Sequence, residues 1–485
     1  MARVVILGAG ISGHTAATIL RRSLSKEHEV VVVTPKEYWN WIPSNIWVGV
    51  GLMKREDVCF SLKKIYDKIG VHFHQAKAVA IYPEGSSELS KPHVVAESTT
   101  PGSEGQTIKV EYDFLINATG PKLNFAATEG LGPDKYTYSV CTASHATEAS
   151  NKLHEIIQEM KQGKKKKIIV GSGHGLCTCQ GAAFEYVFNV EYELRRHKVR
   201  DLAEITFITN EYELGDFGIG GAHFKRGGYY IHSKVFAESL YAERGIHWVK
   251  RAHVQKVEPN KVYFETLNGD ESSLEYDFAM LLPPFKGHEI SAYDKNGGDI
   301  TLKLFAPNGF MKVDCDYSNK PFEEWDVNDW PKTYQSPEYK NIFAIGIAFA
   351  PPHFISKPMK SKKGTPITPT PPRTGMPSGI MGRTVAMSIA EMIKQGTDRP
   401  AYESPFAEMG VACVASAGAS LLNGSAASMT MYPVVPNFKK YPRHGRNISY
   451  TFGELGLAGH WIKRILHHMF IYKAQCKPGW FLIPE

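Results

Sequence analysis

The stretch Val4-Val5-Ile6-Leu7-Gly8-Ala9-Gly10-Ile11-Ser12-Gly13 decides the fold of this 485-residue chain. Its first four residues form an apolar run typical of a buried parallel strand, and a helical pattern follows from His14 to Ser25. A second apolar strand is predicted from Glu29 to Val33. A strand, a Gly-x-Gly-x-x-Gly turn, a helix and a second strand together form the fingerprint of a dinucleotide-binding βαβ unit.

The three glycines of this motif have different functions. Gly8 makes the tight turn, Gly10 lets the backbone approach a pyrophosphate, and Gly13 lets the helix pack closely on the strand. The helix N-terminus is a favourable place for the phosphates. At the end of the second strand, Thr34 offers a weaker hydroxyl contact in place of the acidic residue that usually binds the ribose.

A second, altered motif follows later in the chain. The run Val170-Gly171-Ser172-Gly173-His174-Gly175-Leu176 begins like the first motif but has leucine in place of the third glycine. Cys177 and Cys179 come next, at the start of a helix predicted from Gln180 to Val190. Because the positive end of a helix dipole favours a thiolate, we interpret this loop as converted to thiol chemistry. Intact NAD(P)H binding is not expected here.

Two later strands resemble those of flavoproteins with two dinucleotide-binding domains. The strand that begins at Tyr112 ends in Ala118-Thr119-Gly120, which is the turn that touches FAD in those proteins. The strand from Asn341 to Ala348 contains Gly346 and lies where those proteins close the FAD site. FAD is therefore the expected cofactor.

The composition narrows the class of protein further. With 43% hydrophobic and 22% charged residues the chain is globular, and seven cysteines are too few for a disulfide-stapled secreted scaffold. A formal charge of +7 is mild for this length, and no nucleic-acid partner is expected. The sequence has no run of 18 apolar residues and no signal-peptide pattern, so we expect no transmembrane helix and a cytoplasmic start.

Five motifs, in the same order along the chain, resemble those of the sulfide:quinone oxidoreductases. They are the aromatic segment 38–51, the segments around Cys141 and Cys179, residues 343–348 with the later 372–375, and the run that begins at Phe406. Each motif is weak alone, but five in register over nearly the whole chain identify it as a member of that family.

This resemblance implies an activity and its cofactor site. The activity is FAD-dependent oxidation of hydrogen sulfide to polysulfide or elemental sulfur at a cysteine pair, with two electrons passing through the flavin to a membrane quinone. A homo-oligomer, monotopic on the cytoplasmic membrane, is also implied, with Phe406 near the quinone; the membrane face stays open. The implied cofactor-binding residues are Gly8, Gly10, Gly13, Thr34, Pro43, Ser44, Asn45, Ala118, Thr119, Gly120, Gly346, Arg373, Thr374 and Gly375.

The resemblance also assigns residues to the sulfur site. Cys179 matches a redox cysteine beside the isoalloxazine ring, and Cys141 matches the cysteine nearest the flavin methyl groups, which is covalently attached to the flavin in some members. Glu185 and His145 match a carboxylate and a histidine near the sulfur. Arg373 stands where the family usually has lysine, and either cation stabilises an anionic reduced flavin.

The third cysteine of the family is missing, because Pro405 occupies its place. If this segment forms a hairpin centred on Met409, Cys413 faces position 405 with Cβ atoms about 5 Å apart. Cys413 is therefore our first candidate partner for Cys179, and Cys177 is the alternative.

The C-terminal segment and the composition of the linkers predict the domain organisation. Apolar and basic residues at helical spacing from Leu455 to Lys473 favour an interfacial helix, with an ordinary amphipathic helix packed on the body as the alternative.

The expected fold is α/β, with two Rossmann-like dinucleotide-binding domains and a C-terminal membrane-attachment region with amphipathic helices. The expected segments are the first FAD-domain segment 1–155, the second Rossmann-like domain 156–290, the returning FAD segment 291–395 and the quinone- and membrane-facing region 396–485. We also expect a surface loop at 84–107 and an extended connection at 356–372.

Three other functions are considered. A type II NADH:quinone oxidoreductase requires an intact second glycine motif, which Leu176 and Cys177 interrupt. The flavin subunit of a flavocytochrome sulfide dehydrogenase would be exported and would need no apolar C-terminal tail. A sulfide-sensing flavoprotein would be reduced by sulfide without turning over quinone.

Overall fold

The structure is a computed structural model that describes residues 1–178, 180–373, 375–418 and 424–485. Its strands in chain order are β1 (Arg3–Leu7), β2 (Glu29–Thr34), β3 (Tyr38–Asn40), β4 (Cys59–Ser61), β5 (His72–Tyr82), β6 (His93–Ser98), β7 (Thr107–Glu111), β8 (Phe114–Asn117), β9 (Lys122–Leu123), β10 (Lys166–Ser172), β11 (Ala203–Ile208), β12 (His223–Arg226), β13 (Tyr229–His232), β14 (Ile246–Val249), β15 (Ala252–Glu258), β16 (Lys261–Thr266), β17 (Glu271–Glu275), β18 (Phe278–Leu282), β19 (Phe285–Lys286), β20 (Ser291–Ala292), β21 (Ile342–Ala344), β22 (Val411–Ala417), β23 (Ser425–Met431) and β24 (Phe452–Gly456). Its α-helices are α1 (Ile11–Ser23), α2 (Asn45–Val48), α3 (Arg55–Val58), α4 (Leu62–Ile69), α5 (Ala143–Lys161), α6 (Gln180–Arg196), α7 (Ser233–Glu243), α8 (Thr301–Leu304), α9 (Gly375–Gln395) and α10 (Leu457–Ala474).

The largest sheet is built around the first strand of the chain. Five parallel strands run in the order β21-β8-β1-β2-β5, and β6 and β7 continue the sheet with antiparallel pairing. Leu7 at the end of β1 pairs with Val33 on one side and Asn117 on the other, so three strands end at one edge. Ligands of doubly wound sheets bind at this carboxyl edge, and the loop that starts at Gly8 lies there.

A second parallel sheet repeats this arrangement. Its order is β14-β11-β10-β18, and all of its pairs are parallel. The altered glycine motif follows the central strand β10, and α6 follows the motif. The three-stranded antiparallel sheet β15-β16-β17 lies between β14 and β18 in the chain.

The C-terminal part of the chain forms a third sheet. Its order is β13-β12-β24-β23-β22, with β22 at one end of the order and α10 packed against β22, β23 and β24. Strand β22 contains Cys413, so this sheet brings that cysteine to the Rossmann-like units. Helix α6 also packs on β22.

The architecture confirms the predicted α/β fold with two Rossmann-like units and a C-terminal region. We propose the predicted four segments as domains, although the first boundary, at residue 155, falls inside α5. None of the described helices is both long and apolar enough to cross a bilayer.

Two local predictions are wrong. The segment 84–107 contains strand β6, whose apolar residues Val94 and Ala96 are buried, so it is not simply a surface loop. The hairpin predicted between Pro405 and Cys413 does not form, because Pro405 begins a 3-10 turn at Phe406–Glu408 and β22 pairs with β23 instead. Extended backbone finds its partner by sheet pairing, which local symmetry in the sequence does not reveal.

Candidate active site

The first glycine loop has the shape of a dinucleotide cradle. Gly8 has φ +92°, and a Cβ placed on it would lie 2.4 Å from the Ala118 carbonyl oxygen. A Cβ on Gly13 would lie 2.1 Å from the Gly8 carbonyl oxygen, so both glycines are required by packing. A Cβ on Gly10 would meet no atom of the described residues within 4 Å, although φ is an ordinary −71°. The space beyond Gly10, at the N-terminus of α1, fits the pyrophosphate of a dinucleotide.

Two further loops border this cradle. Gly120 has φ +70°, and no described atom lies within 4 Å of the position of its missing Cβ. Thr119 donates hydrogen bonds from its N–H and hydroxyl to Asn117 Oδ1, at 3.2 and 2.8 Å, which fixes the turn. At Gly346, with φ +67°, a Cβ would lie 2.5 Å from Ser12 Oγ, so the end of β21 packs on the start of α1. Three predicted cofactor loops therefore meet at one edge of the sheet.

The predicted cation of the flavin site is buried. Arg373 Nη1 donates to the carbonyl oxygens of Ile347, at 3.0 Å, and Phe349. Its guanidinium carbon lies 4.6 Å from the ring centroid of Phe310. These contacts hold the charge in a fixed place. Thr374, which follows, lies outside the described residues, and Gly375 begins α9.

The remaining predicted cofactor residues use their side chains within the protein. Ser44 Oγ lies 2.8 Å from His467 Nδ1, and Asn45 Nδ2 donates to the Val140 carbonyl oxygen at 3.2 Å. These contacts fix the side chains of Ser44 and Asn45 against α10 and the turn before α5. Thr34 is buried at the end of β2, and Pro43 lies in a 3-10 turn directly before α2.

In the second glycine loop, protein atoms fill the space that is open beside Gly10 in the first loop. A Cβ on Gly173, the counterpart of Gly10, would lie 2.6 Å from Leu131 Cδ1. A Cβ on Gly175 would lie 2.4 Å from the Pro366 carbonyl oxygen. The space that a pyrophosphate would need is therefore filled by protein atoms.

The residues 359–370, which we name the cleft segment, form this closure. Ile367 N–H donates to the Met359 carbonyl oxygen at 3.0 Å, which makes the segment double back on itself. Thr368 N–H donates to the Gly175 carbonyl oxygen at 2.8 Å, and Thr370 N–H donates to the Cys177 carbonyl oxygen at 3.1 Å. The predicted extended connection thus lies directly on the second nucleotide loop.

The two candidate partner cysteines have different surroundings. Cys177 is completely buried, and its thiol donates to the Leu282 carbonyl oxygen at 3.0 Å. Cys413 is partly buried, and its Sγ lies 3.1 Å from the position that a Cβ on Gly181 would occupy. Cys179 lies outside the described residues, two positions before Gly181. Cys413 is therefore placed at the first turn of α6, where glycine leaves room for its sulfur.

Cys141 and His145 lie at the start of α5. Cys141 N–H donates to Ser139 Oγ at 3.1 Å, and Thr142 Oγ1 caps the helix by accepting from His145 N–H at 3.1 Å. His145 Nδ1 is buried and has no hydrogen-bond partner among the described residues. Burial lowers the pKa of His145, so its imidazole is neutral at physiological pH. Asn45 in α2 binds the carbonyl oxygen of the residue before Cys141, which ties this turn to the aromatic segment.

Glu185 is held in a buried ion pair. Its partner is Lys463 of α10, whose Nζ contacts both carboxylate oxygens. Ser416 of β22 donates to Glu185 Oε1 from its N–H and its hydroxyl. The Lys463 ammonium also lies 5.5 Å from the ring centroid of Trp47 in α2. Helices α2, α6 and α10 and strand β22 therefore meet at Glu185.

Phe406 does not face an open surface. It is completely buried, with its ring centroid 4.9 Å from that of Trp330 and 5.5 Å from that of Phe349. Contact between Phe406 and quinone stays a prediction.

Sequence reasoning missed three residues of the site. Lys463 was counted among the basic residues of an interfacial helix, yet with His460 and His467 it forms the buried face of α10. The spacing of these three residues signals one helix face, but it does not tell which face points inward. Ser416 and Leu131 gave no signal, because their roles depend on contacts between distant segments.

Comparison with known proteins agrees with this geometry. Residues 2–198 match the pyridine nucleotide-disulphide oxidoreductase family. The chain is 30% identical over 472 residues to the sulfide-quinone reductase of Aquifex aeolicus, covering 97% of this chain and 91% of that protein. The X-ray structure of the Aquifex aeolicus sulfide:quinone oxidoreductase superposes with a TM-score of 0.75 at 28% identity, covering 98% of this chain and 92% of that one.

More distant proteins share part of the sequence or only the fold. The mitochondrial sulfide:quinone oxidoreductase of Dictyostelium discoideum is 23% identical over 349 residues, which are 71% of this chain and 64% of that protein. The structure of NDH2 from Plasmodium falciparum in complex with NADH has a TM-score of 0.62 at 13% identity, covering 99% of this chain and 97% of that one. The likeness to NDH2 shows a common fold.

Two Rossmann-like units, an open first glycine loop and a match over residues 2–198 define a flavin-dependent oxidoreductase of the pyridine nucleotide-disulphide class. The near full-length similarity to the Aquifex aeolicus enzyme is more specific. The chain belongs to the sulfide-quinone reductase family.

Proposed function

We propose that this enzyme binds FAD in the first glycine loop and oxidises hydrogen sulfide to polysulfide or elemental sulfur at Cys179 and Cys413. Electrons leave in pairs for a membrane quinone. The observation that carries the proposal is the position of Cys413 Sγ, 3.1 Å from the site of a Cβ on Gly181. It supports the proposal because the sulfur lies at the first turn of α6, and Cys179 comes two residues before Gly181 in the chain.

The residues of the first loop fit FAD. Gly10 and Gly120 both leave open space, and both lie at the carboxyl edge of the first sheet. Bound there, the flavin would accept two electrons from the sulfur site and deliver them to quinone. Arg373 supplies a fixed positive charge for the anionic reduced ring, because two carbonyl oxygens hold its guanidinium.

The chemistry begins with exchange at sulfur. Hydrosulfide attacks one sulfur of a Cys179–Cys413 disulfide, a sulfur–sulfur bond to the other cysteine breaks, and a persulfide and a thiolate remain. The positive end of the α6 dipole stabilises a thiolate at Cys179 and makes it the better leaving group. For each further sulfur, the persulfide and the thiolate would first have to rejoin as a longer bridge with loss of two electrons to the bound flavin, and the next hydrosulfide would then attack that bridge. Cys177 takes no part, since its thiol is buried and donates to Leu282.

Cys141 and His145 complete the site in this proposal. Cys141 lies beside the flavin methyl groups, and covalent attachment there is the alternative to a free thiol. His145 remains neutral because burial lowers its pKa, so its ring can accept or donate one hydrogen bond without adding charge.

The proposed membrane contact is the outer face of α10. This helix buries His460, Lys463 and His467 and exposes Trp461, Ile462 and Ile465. An exposed apolar stripe on a helix that is docked by its polar side matches an interfacial helix, and the partly exposed Arg464 within this stripe suits anionic headgroups. We propose monotopic attachment of a homo-oligomer to the cytoplasmic membrane through this face. No nucleic-acid partner is proposed.

Anaerobic reduction of the purified flavoprotein tests the function. Sulfide should bleach the flavin, NADH at the same concentration should not, and added quinone should restore the oxidised spectrum. Bleaching by NADH, or bleaching by sulfide with no reoxidation by quinone, contradicts the proposal and supports an NADH dehydrogenase or a sulfide sensor, respectively.

A further inference from the structure

Lys463 and Glu185 are closed off from solvent. The side chains are 11% exposed for Lys463 and 8% for Glu185, and the ammonium contacts both carboxylate oxygens. Lys463 Nζ also donates to the Val414 carbonyl oxygen at 3.1 Å. Ser416 N–H and Oγ donate to Glu185 Oε1 at 3.1 and 2.8 Å. Three donor groups therefore point at one carboxylate.

This shell engages the Glu185 carboxylate fully in structural contacts. Both oxygens face the Lys463 ammonium, and Oε1 also accepts two hydrogen bonds from Ser416. Removing one partner of such a buried pair leaves the other charge uncompensated, which is costly. These contacts fit an anchor between α6, α10 and β22.

The ion pair lies next to the cysteine site. Gly181 and Glu185 are four residues apart in α6, so their positions share one face of the helix. Cys413 Sγ lies beside Gly181, and Val414 and Ser416 follow it along β22. The ion pair therefore joins α6 to β22 one helical turn from Gly181, against which the sulfur of Cys413 lies.

We propose that Lys463 is a positioning residue of the sulfur site, which deepens the proposed function and rests on it. With Glu185 it fixes β22 against α6, and this holds Cys413 within bonding distance of Cys179. Glu185 acts as the anchor for this contact and not as a base. Because Lys463 belongs to α10, the geometry of the cysteines depends on the seating of the helix whose opposite face is apolar and exposed.

Four variants of the holoenzyme test this role. K463M leaves an unpaired buried carboxylate, E185M/K463M replaces the pair with two apolar side chains, and K463R keeps the charge. K473M is the matched control, since Lys473 also lies on α10 in a buried ion pair, with Glu485 at 2.7 Å, but its ammonium bonds to residues 483–485 and not to α6 or β22. The rate of anaerobic flavin bleaching by sulfide is measured against pH, with the melting temperature alongside.

A positioning role predicts that K463M bleaches about 100-fold more slowly, since small displacements of reacting groups have effects of this size. K463R and the double variant should recover to within about tenfold of wild type, with an unchanged pH profile, whereas K473M should bleach normally. A base at Glu185 predicts instead that the double variant stays as slow as K463M and that its pH profile loses the acid limb. That result, or a normal rate in K463M, overturns the proposal.

A second measurement does not depend on the reaction with sulfide. Each variant is oxidised with diamide, and the Cys179–Cys413 disulfide is quantified by peptide mapping. The disulfide should form in wild type, K463R and the double variant, and its yield should drop at least about fivefold in K463M. Equal yields overturn the positioning role. If sulfide fails to bleach the wild-type flavin while the yields differ as expected, the proposed function fails and the positioning role stands.

Discussion

At the scale of one residue, Gly10 differs from Gly8 and Gly13 in the reason why it must be glycine. Gly8 and Gly13 must lack a side chain because the protein itself fills their Cβ positions. Gly10 has ordinary backbone torsions and open space, so the protein gives no reason to exclude alanine. The reason lies in the ligand, whose phosphates would occupy that space.

Replacing Gly10 with alanine should therefore remove flavin without unfolding the chain. We expect G10A to purify with less than about a tenth of the wild-type flavin, because one methyl group in the phosphate cradle displaces the pyrophosphate. Visible absorbance gives the flavin content, and circular dichroism checks the fold. Full flavin occupancy in G10A would place the cofactor elsewhere.

Two serine variants distinguish Cys413 from Cys177 as the redox partner of Cys179. C413S should slow sulfide-dependent bleaching by more than about 100-fold, because a hydroxyl forms no disulfide with Cys179. C177S is the matched control, and it should bleach at nearly the wild-type rate, since this thiol donates only a weak hydrogen bond in the interior. The opposite pattern of rates would make Cys177 the redox partner.

Glu211 links stability to pH. It is buried at the end of β11, where it accepts from Phe217 N–H at 2.8 Å and Thr209 Oγ1 at 2.9 Å, and burial raises its pKa to about 8. The folded state thus keeps a proton that the unfolded state releases above its lower pKa. The stabilisation is complete below about pH 4.5 and is lost toward pH 8, by at most about 1.4 kcal/mol per pH unit.

E211Q should reduce the dependence of the free energy of unfolding on pH between about 4.5 and 8. The amide keeps an oxygen for Phe217 N–H and has no charge to bury, so the free energy of unfolding should rise relative to wild type as the pH increases from 5 to about 8. Denaturant titrations at several pH values measure the difference. Parallel profiles for the two proteins would show that Glu211 does not titrate in this range.

At the scale of elements, the cleft segment covers the glycine loop of the second Rossmann-like unit. Its backbone bonds to Gly175 and Cys177 take the place that a ligand would have on the loop. Leu131 closes the same loop from the other side. The unit keeps its parallel sheet while its ligand site has become part of the protein interior.

This closure predicts that pyridine nucleotides do not bind. NADH and NADPH at millimolar concentration should leave the melting temperature unchanged, since a ligand that binds the folded state raises it. L131A is the informative variant, because it opens only the side at Gly173 and leaves Pro366 over Gly175; it should remain insensitive as well. A rise in melting temperature with NADH in either protein would show an accessible cleft.

The elements that the sequence predicted are those governed by local pattern. The βαβ unit at Gly8, the altered loop before α6 and the helix at the C-terminus all follow from spacing and turn chemistry. The pairing of β22 with β23 and the orientation of α10 depend on contacts between distant segments, so no local pattern fixes them. The ion pair of Glu185 with Lys463 spans 278 residues, a separation at which one sequence gives no signal.

At the scale of the whole molecule, α10 sets how the enzyme would lie on a membrane. Trp461 is 43% exposed and Ile465 61%, and both point away from the body. W461E/I465E should weaken binding to anionic vesicles at least about tenfold. L302E, on a residue that is 67% exposed in α8, is the control and should bind normally. Co-sedimentation measures binding, and equal binding of both variants would move the membrane contact elsewhere.

Helix α10 docks on the body through polar side chains and exposes apolar ones, which is the reverse of an ordinary surface helix. Deleting a helix from a globular protein normally exposes apolar surface and promotes aggregation. Removal of the first three turns of α10 would uncover Glu185, Ser44 and Ser416 beside the ring of Trp47, and would take the exposed Trp461 and Ile465 away with it. The shortened chain should therefore lose its exposed apolar stripe, and its sulfur site would have lost the helix that supports it.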